Sequence, residues 1–211
     1  KIKKFYMPSN RKIGISRIIR FIIFQYYFQK RNLRYFFIRL KNKNIIKTIQ
    51  GSRMQLNLDD KGISKDLALD GIREPESTKE IRKIVKSGNT VIEVGANIGY
   101  YALIESRLVG EKGSIYAIEP SPSNMTNLKK NIKLNGYNNI KVYPMAIGDR
   151  KGTAKMNISP HSNLSSLVAQ KNRKIIGTIN VDITTLDDFL KNKKHPDFIR
   201  MDVEGYEYNI I

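Results

Sequence analysis

The hydrophobic positions between residues 77 and 143 fall into short apolar runs separated by amphipathic stretches. Three runs of four or five residues predict buried strands, namely Thr90–Val94, Ser114–Ile118 and Ile140–Tyr143. Apolar residues at helical spacing predict three helices, over residues 77–87, 99–109 and 122–135. Strands and helices that alternate in this way are typical of a parallel α/β sheet with helices on both of its faces.

The segments on either side of this core carry weaker patterns. Met54, Leu56 and Leu58 alternate with polar residues and predict a strand, which a turn at 59–62 joins to a second strand at 63–67. Beyond residue 143 we expect two strands, at 154–158 and 178–183, with a polar loop between them at 161–166. A short helix at 185–188 and a buried strand at 197–203, which ends in acids, should follow. Because such a sheet normally continues, we expect its C-terminal strands to be missing.

The charge of the chain is concentrated at its N-terminus. Residues 1–50 hold 14 Lys and Arg and no Asp or Glu, whereas residues 51–211 hold 24 Lys and Arg and 19 acids. This difference predicts a basic N-terminal extension at 1–50 ahead of a globular domain at 51–211.

The extension is also rich in large apolar residues, and we expect it to be helical. Its longest apolar run, 18–28, has 11 residues and contains Arg20 and Gln25, whereas a spanning helix needs about 20 apolar residues. Three interpretations stay open: helices packed on the body of the protein, helices in the interface of an anionic membrane, and a nucleic-acid contact, which is favoured least. Each Lys or Arg near an anionic leaflet contributes about 1 kcal/mol.

Composition excludes several kinds of site. The chain has no cysteine, which rules out disulfides, a thiolate nucleophile and cysteine metal sites. Its two histidines, His161 and His195, are far apart in sequence, so we expect no metal centre, with a site of carboxylates alone as the open alternative. With 40% hydrophobic and 27% charged residues, the composition is that of a globular chain rather than a disordered one.

The strongest chemical signal is a glycine turn between the first predicted strand and the helix that follows. Residues 93–100 read E-V-G-A-N-I-G-Y, so an apolar strand runs into a glycine turn and a helix N-terminus. Glycines let a ligand approach the backbone, and the free N–H groups of a helix N-terminus favour an anionic ligand. Glu119 ends the next strand, 20 residues after Gly99, where a carboxylate can hold the hydroxyls of a ribose.

Two cofactors fit a strand, turn and carboxylate in this order. A nicotinamide dinucleotide requires G-x-G-x-x-G, but Asn97 and Tyr100 occupy the positions of the second and third glycines and would obstruct its pyrophosphate. S-adenosylmethionine carries an adenosine without a pyrophosphate, and the spacing E-x-G-x-x-x-G suits it. The residues therefore favour S-adenosylmethionine, while a dehydrogenase and a turn without any ligand stay as alternatives.

Six blocks of sequence resemble the FkbM family of S-adenosylmethionine-dependent methyltransferases in their order and spacing. They are residues 93–101, 117–120, 128–135, 146–149, 184–189 and 199–205. The last two, T-T-L-D-D-F and I-R-M-D-V-E-G, are the most specific, and Glu93 departs from the family's usual Asp. The resemblance covers residues 53–211 and implies a Rossmann-like class I methyltransferase fold that methylates hydroxyl groups, many of them on sugars or polyketide-type products.

The resemblance also implies which residues bind the cofactor: Glu93, Gly95, Ala96, Asn97, Gly99, Tyr100, Glu119, Pro120, Met145 and Ala146. Those of the glycine turn would hold its methionine end, and Glu119 would hold the ribose. Pro120 would border the adenine, with Met145 and Ala146 on the other face.

A base that takes the proton of the acceptor hydroxyl has three candidates, Asp202, Glu204 and His161. The two carboxylates end the last predicted strand, where this fold presents the methyl group. His161 lies in a loop rich in Ser and Asn that could also bind a sugar. The alternatives without catalysis are an exposed loop histidine and carboxylates that cap the next helix.

Taken together, these observations predict an S-adenosylmethionine-dependent O-methyltransferase acting on a hydroxyl of a small molecule, sugar, glycan or glycolipid. The alternative is a degenerate methyltransferase-fold module that binds membrane or nucleic acid through residues 1–50. We expect a cytoplasmic protein, with peripheral contact to a membrane surface through the same residues.

Overall fold

The computed structural model describes residues 15–60, 62–168 and 174–210, and the chain divides into two compact units after Lys43. In the described part of the first unit, Ile15–Lys41 form helix α1. The helices of the second unit are α2 Ile63–Asp70, α3 Pro75–Ile84, α4 Tyr100–Val109, α5 Pro122–Asn135 and α6 Leu186–Leu190. Its strands are β1 Asn44–Ile49, β2 Ser52–Asn57, β3 Thr90–Val94, β4 Ser114–Ile118, β5 Ile140–Tyr143, β6 Ala146–Ile147, β7 Gly152–Ile158, β8 Gly177–Thr184 and β9 Phe198–Met201.

Four parallel strands form the central sheet in the order β5-β4-β3-β9. Val94 at the end of β3 pairs with Ile118 of β4 and with Met201 of β9, so these strands end at one edge. Ile92 shares a buried cluster with Phe189 of α6 on one face, whereas Glu93 points to the opposite face and meets α4. The predicted parallel sheet with helices on both faces is confirmed, and its first three strands have the predicted bounds.

A second sheet of three strands, in the order β6-β8-β7, follows the central one along the chain. β7 and β8 pair antiparallel, and β6 pairs parallel with β8. The strands predicted at 154–158 and 178–183 are therefore confirmed. β6 was not predicted, because its two residues are too few to show a period. It carries the chain from β5 into the second sheet and pairs Ala146 with Ile183 of β8.

The hairpin predicted over residues 54–67 is wrong, because its second strand is a helix. Residues 63–70 form α2, in which Ile63 and Leu67, four residues apart, are both buried. Gly71 ends the helix with a left-handed φ of 68°. Five residues, 63–67, are too few to distinguish the two-residue period of a strand from the 3.6-residue period of a helix. Only the packing of the helical face decides between them.

The actual hairpin lies one strand earlier. β1 pairs antiparallel with β2, from Asn44 opposite Asn57 to Ile49 opposite Ser52. Its two-residue turn, Gln50-Gly51, has φ values of 50° and 89°, the left-handed conformation that such a turn requires. Since β1 falls inside the predicted extension, the predicted boundary between residues 50 and 51 is corrected to one between 43 and 44.

Helix α1 has no acid in its first turn and carries Arg39 and Lys41 in its last, where positive charge favours a helix. Phe24 and Phe28, one turn apart, stack with their ring centroids 6.1 Å apart. Among the helices in the described part of the chain, none is long and apolar enough to cross a membrane.

Candidate functional site

Three loops meet at the edge where the parallel strands end. Gly95 and Ala96 donate backbone hydrogen bonds of 2.9 and 3.0 Å to the carbonyl oxygen of Ile118. Asp202 donates a backbone bond of 3.0 Å to Val94. The loops after β3, β4 and β9 are thus tied together at the position where α/β sheets bind their ligands.

A cavity lies between these loops. Six of the residues predicted to bind the cofactor line it: Gly95, Asn97, Glu119, Pro120, Met145 and Ala146. Two more, Ala96 and Tyr100, line a smaller cavity next to it, which also borders Gly95 and Asn97. Glu93 and Gly99, the remaining two, line neither cavity.

Glu119 is the buried carboxylate of the larger cavity. Its Oε2 accepts a 2.8 Å bond from the backbone N–H of Asn97, and its Oε1 accepts 2.9 Å and 3.3 Å bonds from Ser121 N and Asn124 Nδ2. Burial raises the pKa of Glu119, and these three donors oppose the rise. The carboxylate therefore has a fixed orientation at the cavity wall and retains acceptor capacity for a hydroxyl group.

The two glycines of the turn have different roles. At Gly95, where φ is 84°, an added Cβ would lie 2.2 Å from the carbonyl oxygen of Asp202. At Gly99, where φ is 96°, it would lie 2.6 Å from Cδ1 of Leu128 in α5. Gly95 thus allows the loops after β3 and β9 to pass closely, whereas Gly99 allows α5 to pack. The prediction that Gly99 lines the cofactor cavity is not supported, because only its packing role is visible.

Glu93 is paired with Arg200, which itself lines the smaller cavity. Arg200 Nη1 donates a 2.6 Å bond to Glu93 Oε1, and Nη2 donates a 3.1 Å bond to Asp202 Oδ2. The guanidinium carbon lies 3.7 Å from the ring centroid of Tyr101, and Glu74 lies 3.8 Å from Nη2. Arg200 was not predicted from the sequence, although a basic residue inside a predicted buried strand signals a buried acidic partner.

A second carboxyl group lies beside Glu93. Glu105 of α4 is fully buried, and as an ionised group it would have no hydrogen-bond partner for either oxygen. Burial, together with the charge of Glu93, raises the pKa of Glu105 well above its usual value of 4.5. Burial also raises the pKa of Glu93 to about 7, against the charge of Arg200. The two buried carboxyl groups therefore share a site in which burial opposes their ionisation.

Two of the three candidate bases lie at the site. Asp202 and Glu204 border both cavities. Glu204 has a left-handed φ of 59°, and its carbonyl oxygen accepts a 3.2 Å bond from Ser166 Oγ. His161 lines neither cavity; it precedes the single-turn helix Ser162–Leu164 and donates its backbone N–H to Ser159 Oγ. The geometry therefore brings two of the candidates, Asp202 and Glu204, to the cavities and leaves His161 outside their lining.

Backbone strain is concentrated around the same site. In the described part of the chain, four residues other than glycine have a positive φ: Gln50, Glu74, Asn97 and Glu204. The first lies in the hairpin turn, whereas Asn97 and Glu204 line the cavities and Glu74 accepts a 2.9 Å bond from Tyr101. Such conformations cost about 1–3 kcal/mol each and persist where the surrounding structure imposes them.

The fold and these contacts define the class of protein. A parallel sheet with this glycine turn and a buried carboxylate after the next strand is a Rossmann-like fold of the class I methyltransferase type. Residues 93–211, more than half of the chain, match the family model of the methyltransferase FkbM domain. The chain belongs to this family, whose cofactor is S-adenosylmethionine.

Similarity to individual proteins is confined to shorter segments. The chain is 43% identical over 67 residues to a protein-L-isoaspartate O-methyltransferase of Fervidobacterium nodosum, covering 32% of each protein. It is 44% identical over 55 residues to that of Methanococcus maripaludis, covering 26% of each. The chain thus spans about a third or less of the length of these relatives. The structure of M. jannaschii TYW2 in complex with AdoMet is 24% identical, with 51% of this chain and 48% of that chain covered and a TM-score of 0.39.

The residues present fit S-adenosylmethionine. Glu119 offers a buried carboxylate acceptor for ribose hydroxyls, and Pro120 and Met145 offer apolar surface for a base. The acids Asp202 and Glu204 suit the positive charges of the amino group and the sulfonium. Among the described residues, no group of three His, Asp or Glu side chains could hold a metal ion.

Proposed function

We propose that this chain is an S-adenosylmethionine-dependent O-methyltransferase that acts on a hydroxyl group of a sugar, glycan or glycolipid. The observation that carries the proposal is the shared border of the two cavities. Asp202 and Glu204 line both cavities, and the carboxylate of Glu119 lines the larger one. One cavity can hold an adenosine while the border presents carboxylates to an acceptor.

The residues of the chain would act in distinct ways. S-adenosylmethionine, when bound, supplies a methyl group on a positively charged sulfur. Glu119 would fix the ribose, and the walls formed by Pro120 and Met145 would fix the base. Asp202 or Glu204 would orient the acceptor hydroxyl and take its proton, which makes the oxygen a better nucleophile.

The binding step is tested by calorimetric titration of S-adenosylhomocysteine into the wild-type chain and a Glu119→Ala variant. We expect binding by the wild type and affinity at least about tenfold weaker in the variant, since a hydrogen bond to a charged group contributes about 1.5–3 kcal/mol. A folded wild-type chain that does not bind would refute the proposal and favour the alternative of a degenerate module.

The base is tested by comparing Asp202→Asn with Glu204→Gln in the transfer of labelled methyl groups to oligosaccharides and lipid extracts. Loss of the base is expected to lower kcat by about 10²–10⁴ and to remove the acidic limb of the pH–rate profile. The variant at the other position keeps that limb. If both variants keep wild-type kcat, neither carboxylate is the base.

A second acceptor is suggested by the relatives, whose names state protein-L-isoaspartate O-methylation. A carboxylate acceptor is already ionised and needs no base. Arg73 and Arg200 line the smaller cavity together with the two acids, so charge does not decide between the acceptors. We place the hydroxyl acceptor first because Asp202 and Glu204 offer a base, which only that acceptor needs. Methylation of an isoaspartyl peptide, but of no oligosaccharide or lipid, would reverse this order.

We propose further that the basic extension binds the surface of an anionic membrane on the cytoplasmic side, which would suit a glycolipid acceptor. Residues 15–41 contain seven Lys and Arg and no acid, and Phe21, Phe24 and Phe28 of α1 are exposed. Vesicles with anionic lipid should retain the wild-type chain and lose a Phe24→Ser/Phe28→Ser variant. An Ile84→Ser variant, which changes an exposed apolar residue of the second unit, should be retained. Equal retention of all three proteins would contradict this proposal.

A further inference from the structure

The carboxylate of Asp60 joins two segments that are far apart in sequence. Its Oδ1 accepts bonds of 2.9 Å from Gly62 N and 3.0 Å from Ser162 N. Its Oδ2 accepts bonds of 2.8 Å from Ser162 Oγ and 3.2 Å from Ser64 N. Both oxygens thus connect the N-terminus of α2 to Ser162, 102 residues further along the chain.

Ser162 continues this connection to the cavity carboxylate. Its carbonyl oxygen accepts a 3.2 Å bond from Asn124 Nδ2, and the same amide donates a 3.3 Å bond to Oε1 of Glu119. A continuous hydrogen-bonded path therefore runs from Asp60 through Ser162 and Asn124 to Glu119. Hydrogen bonds that share partners in this way strengthen one another, so the loss of one bond weakens its neighbours.

The loop that contains Ser162, residues 159–166, forms part of the wall of the larger cavity. Ser162, Asn163, Ser165 and Ser166 line that cavity. Next to Ser162, the loop sits tightly on Gly62, where an added Cβ would lie 2.1 Å from Oδ1 of Asn163. At its far end, Ser166 exchanges backbone bonds of 2.9 and 3.1 Å with Asn157 of β7. The far end is held by the second sheet, and the near end by Asp60.

We propose that Asp60 is a positioning residue that fastens the loop 159–166 over the cofactor cavity through Ser162. The inference rests on the proposed function in that the cavity is taken to bind S-adenosylmethionine. Loss of the fastening would let the loop open and would release Asn124 from one of its two acceptors. The expected consequence is weaker binding of the cofactor, although Glu119 and the other residues proposed to bind it are unchanged.

The experiment separates the loop from helix α2, whose N-terminus Asp60 also caps through Ser64 N. Asp60→Ala removes the bonds to the loop and the bonds to the N-terminus of α2. Ser162→Ala removes only the bond from Ser162 Oγ to Asp60 and leaves the bonds to α2 in place. Asp59→Ala is the matched control, since Asp59 is an adjacent and exposed acid. Hydrogen–deuterium exchange is measured for the amides of 159–166 and of β3 in each full-length protein. Calorimetry with S-adenosylhomocysteine follows on the same samples.

Faster exchange in residues 159–166 is expected in Asp60→Ala, and to a smaller extent in Ser162→Ala, with β3 unchanged. The dissociation constant of S-adenosylhomocysteine should rise about tenfold in Asp60→Ala and by less in Ser162→Ala. Asp60→Asn, which keeps one oxygen for Ser162 N, should recover part of the affinity. The Asp59→Ala control should match the wild type in both measurements.

Two results would overturn the inference. Exchange of the loop amides at the same rate in Asp60→Ala and Asp59→Ala would show that Asp60 does not hold the loop. Faster exchange with an unchanged dissociation constant would show that the loop does not shape the binding site. Failure of the wild type to bind S-adenosylhomocysteine would instead refute the proposed function, and the exchange rates alone would then decide whether Asp60 fastens the loop.

Discussion

Glu93 and Glu119 belong to neighbouring parallel segments, and both are buried, yet their surroundings differ completely. Glu119 faces a cavity and takes its hydrogen bonds from three N–H groups, two of them backbone. Glu93 faces α4, where Arg200 donates to one of its oxygens and the carboxyl group of Glu105 lies beside it. One carboxylate remains available to a ligand, and the other is committed to the interior.

The difference follows from position along the strand. Side chains of a strand alternate between its faces, so Glu93, inside β3, points beneath a helix. Glu119 comes after the last residue of β4, where the sheet opens. Glu93, the acid of the glycine motif, therefore lies inside the strand and contacts Arg200 rather than either cavity.

The largest expected effect comes from removing the partner of the interior carboxylate. Arg200→Met leaves Glu93 buried without its counter-charge, and we expect a loss of about 3–5 kcal/mol in the free energy of unfolding. The measurement is denaturant unfolding followed by circular dichroism. Arg150→Met is the control, because Arg150 pairs with Asp149 at the surface, with 60% and 47% of the two side chains exposed. A surface pair contributes only about 0–1 kcal/mol, so equal losses in both variants would contradict the buried role of Arg200.

A pair of matched variants tests the contrast between the two glutamates directly. Glu119→Gln should weaken S-adenosylhomocysteine binding by about 1.5–3 kcal/mol, because a charged acceptor is lost from the cavity. Glu93→Gln should change stability more than affinity, since Glu93 lines neither cavity. Calorimetry and thermal unfolding on the same two proteins give both quantities. The contrast fails if Glu93→Gln weakens binding as much as Glu119→Gln does.

The last prediction concerns the pH dependence of stability that the buried carboxyl groups of Glu93 and Glu105 produce. A carboxyl pKa that is higher in the folded than in the unfolded chain means that the folded protein binds more protons. The free energy of unfolding then falls as the pH rises from 4.5, the usual value, through about 7, the value for Glu93. Glu105→Gln removes one ionisable group, so it should be more stable than the wild type near pH 8, by a margin that falls towards pH 5.

The control for this pH dependence is Glu111→Gln, which changes an exposed acid just beyond the same helix. Its unfolding curve should stay parallel to that of the wild type across the pH range. A Glu105→Gln curve that also stays parallel would mean that the buried pair does not titrate in this range.

The local pattern of apolar residues was sufficient to predict the strands and helices in which that pattern is regular. Strands β3, β4 and β5 and helix α5 have their predicted bounds, because each has a clear apolar period and a glycine, proline or polar residue at its end. The same patterns failed at residues 63–67, where five residues fit both a strand and a helix. They also failed at β1, which the count of charges had assigned to the extension.

For the site, the sequence predicted the glycine turn, Glu119 and the acids after β9 through their order along the chain. Arg200, Glu105 and Asp60 were missed as members of the site. Two of them act through a partner remote in sequence: Arg200 on Glu93, 107 residues away, and Asp60 on Ser162, 102 residues away. No local period records such a pairing.

By itself, the sequence determined the parallel α/β sheet, the family and the segments that meet at the edge of the sheet, because these depend on periodicity and on the order of short motifs. The tertiary structure alone decided which acid faces the cavity, which glycine packs a helix, and which loop Asp60 holds. The physical reason is that burial and hydrogen-bond partners are set by contacts across the chain, and a carboxyl group takes its role from those contacts rather than from its neighbours in sequence.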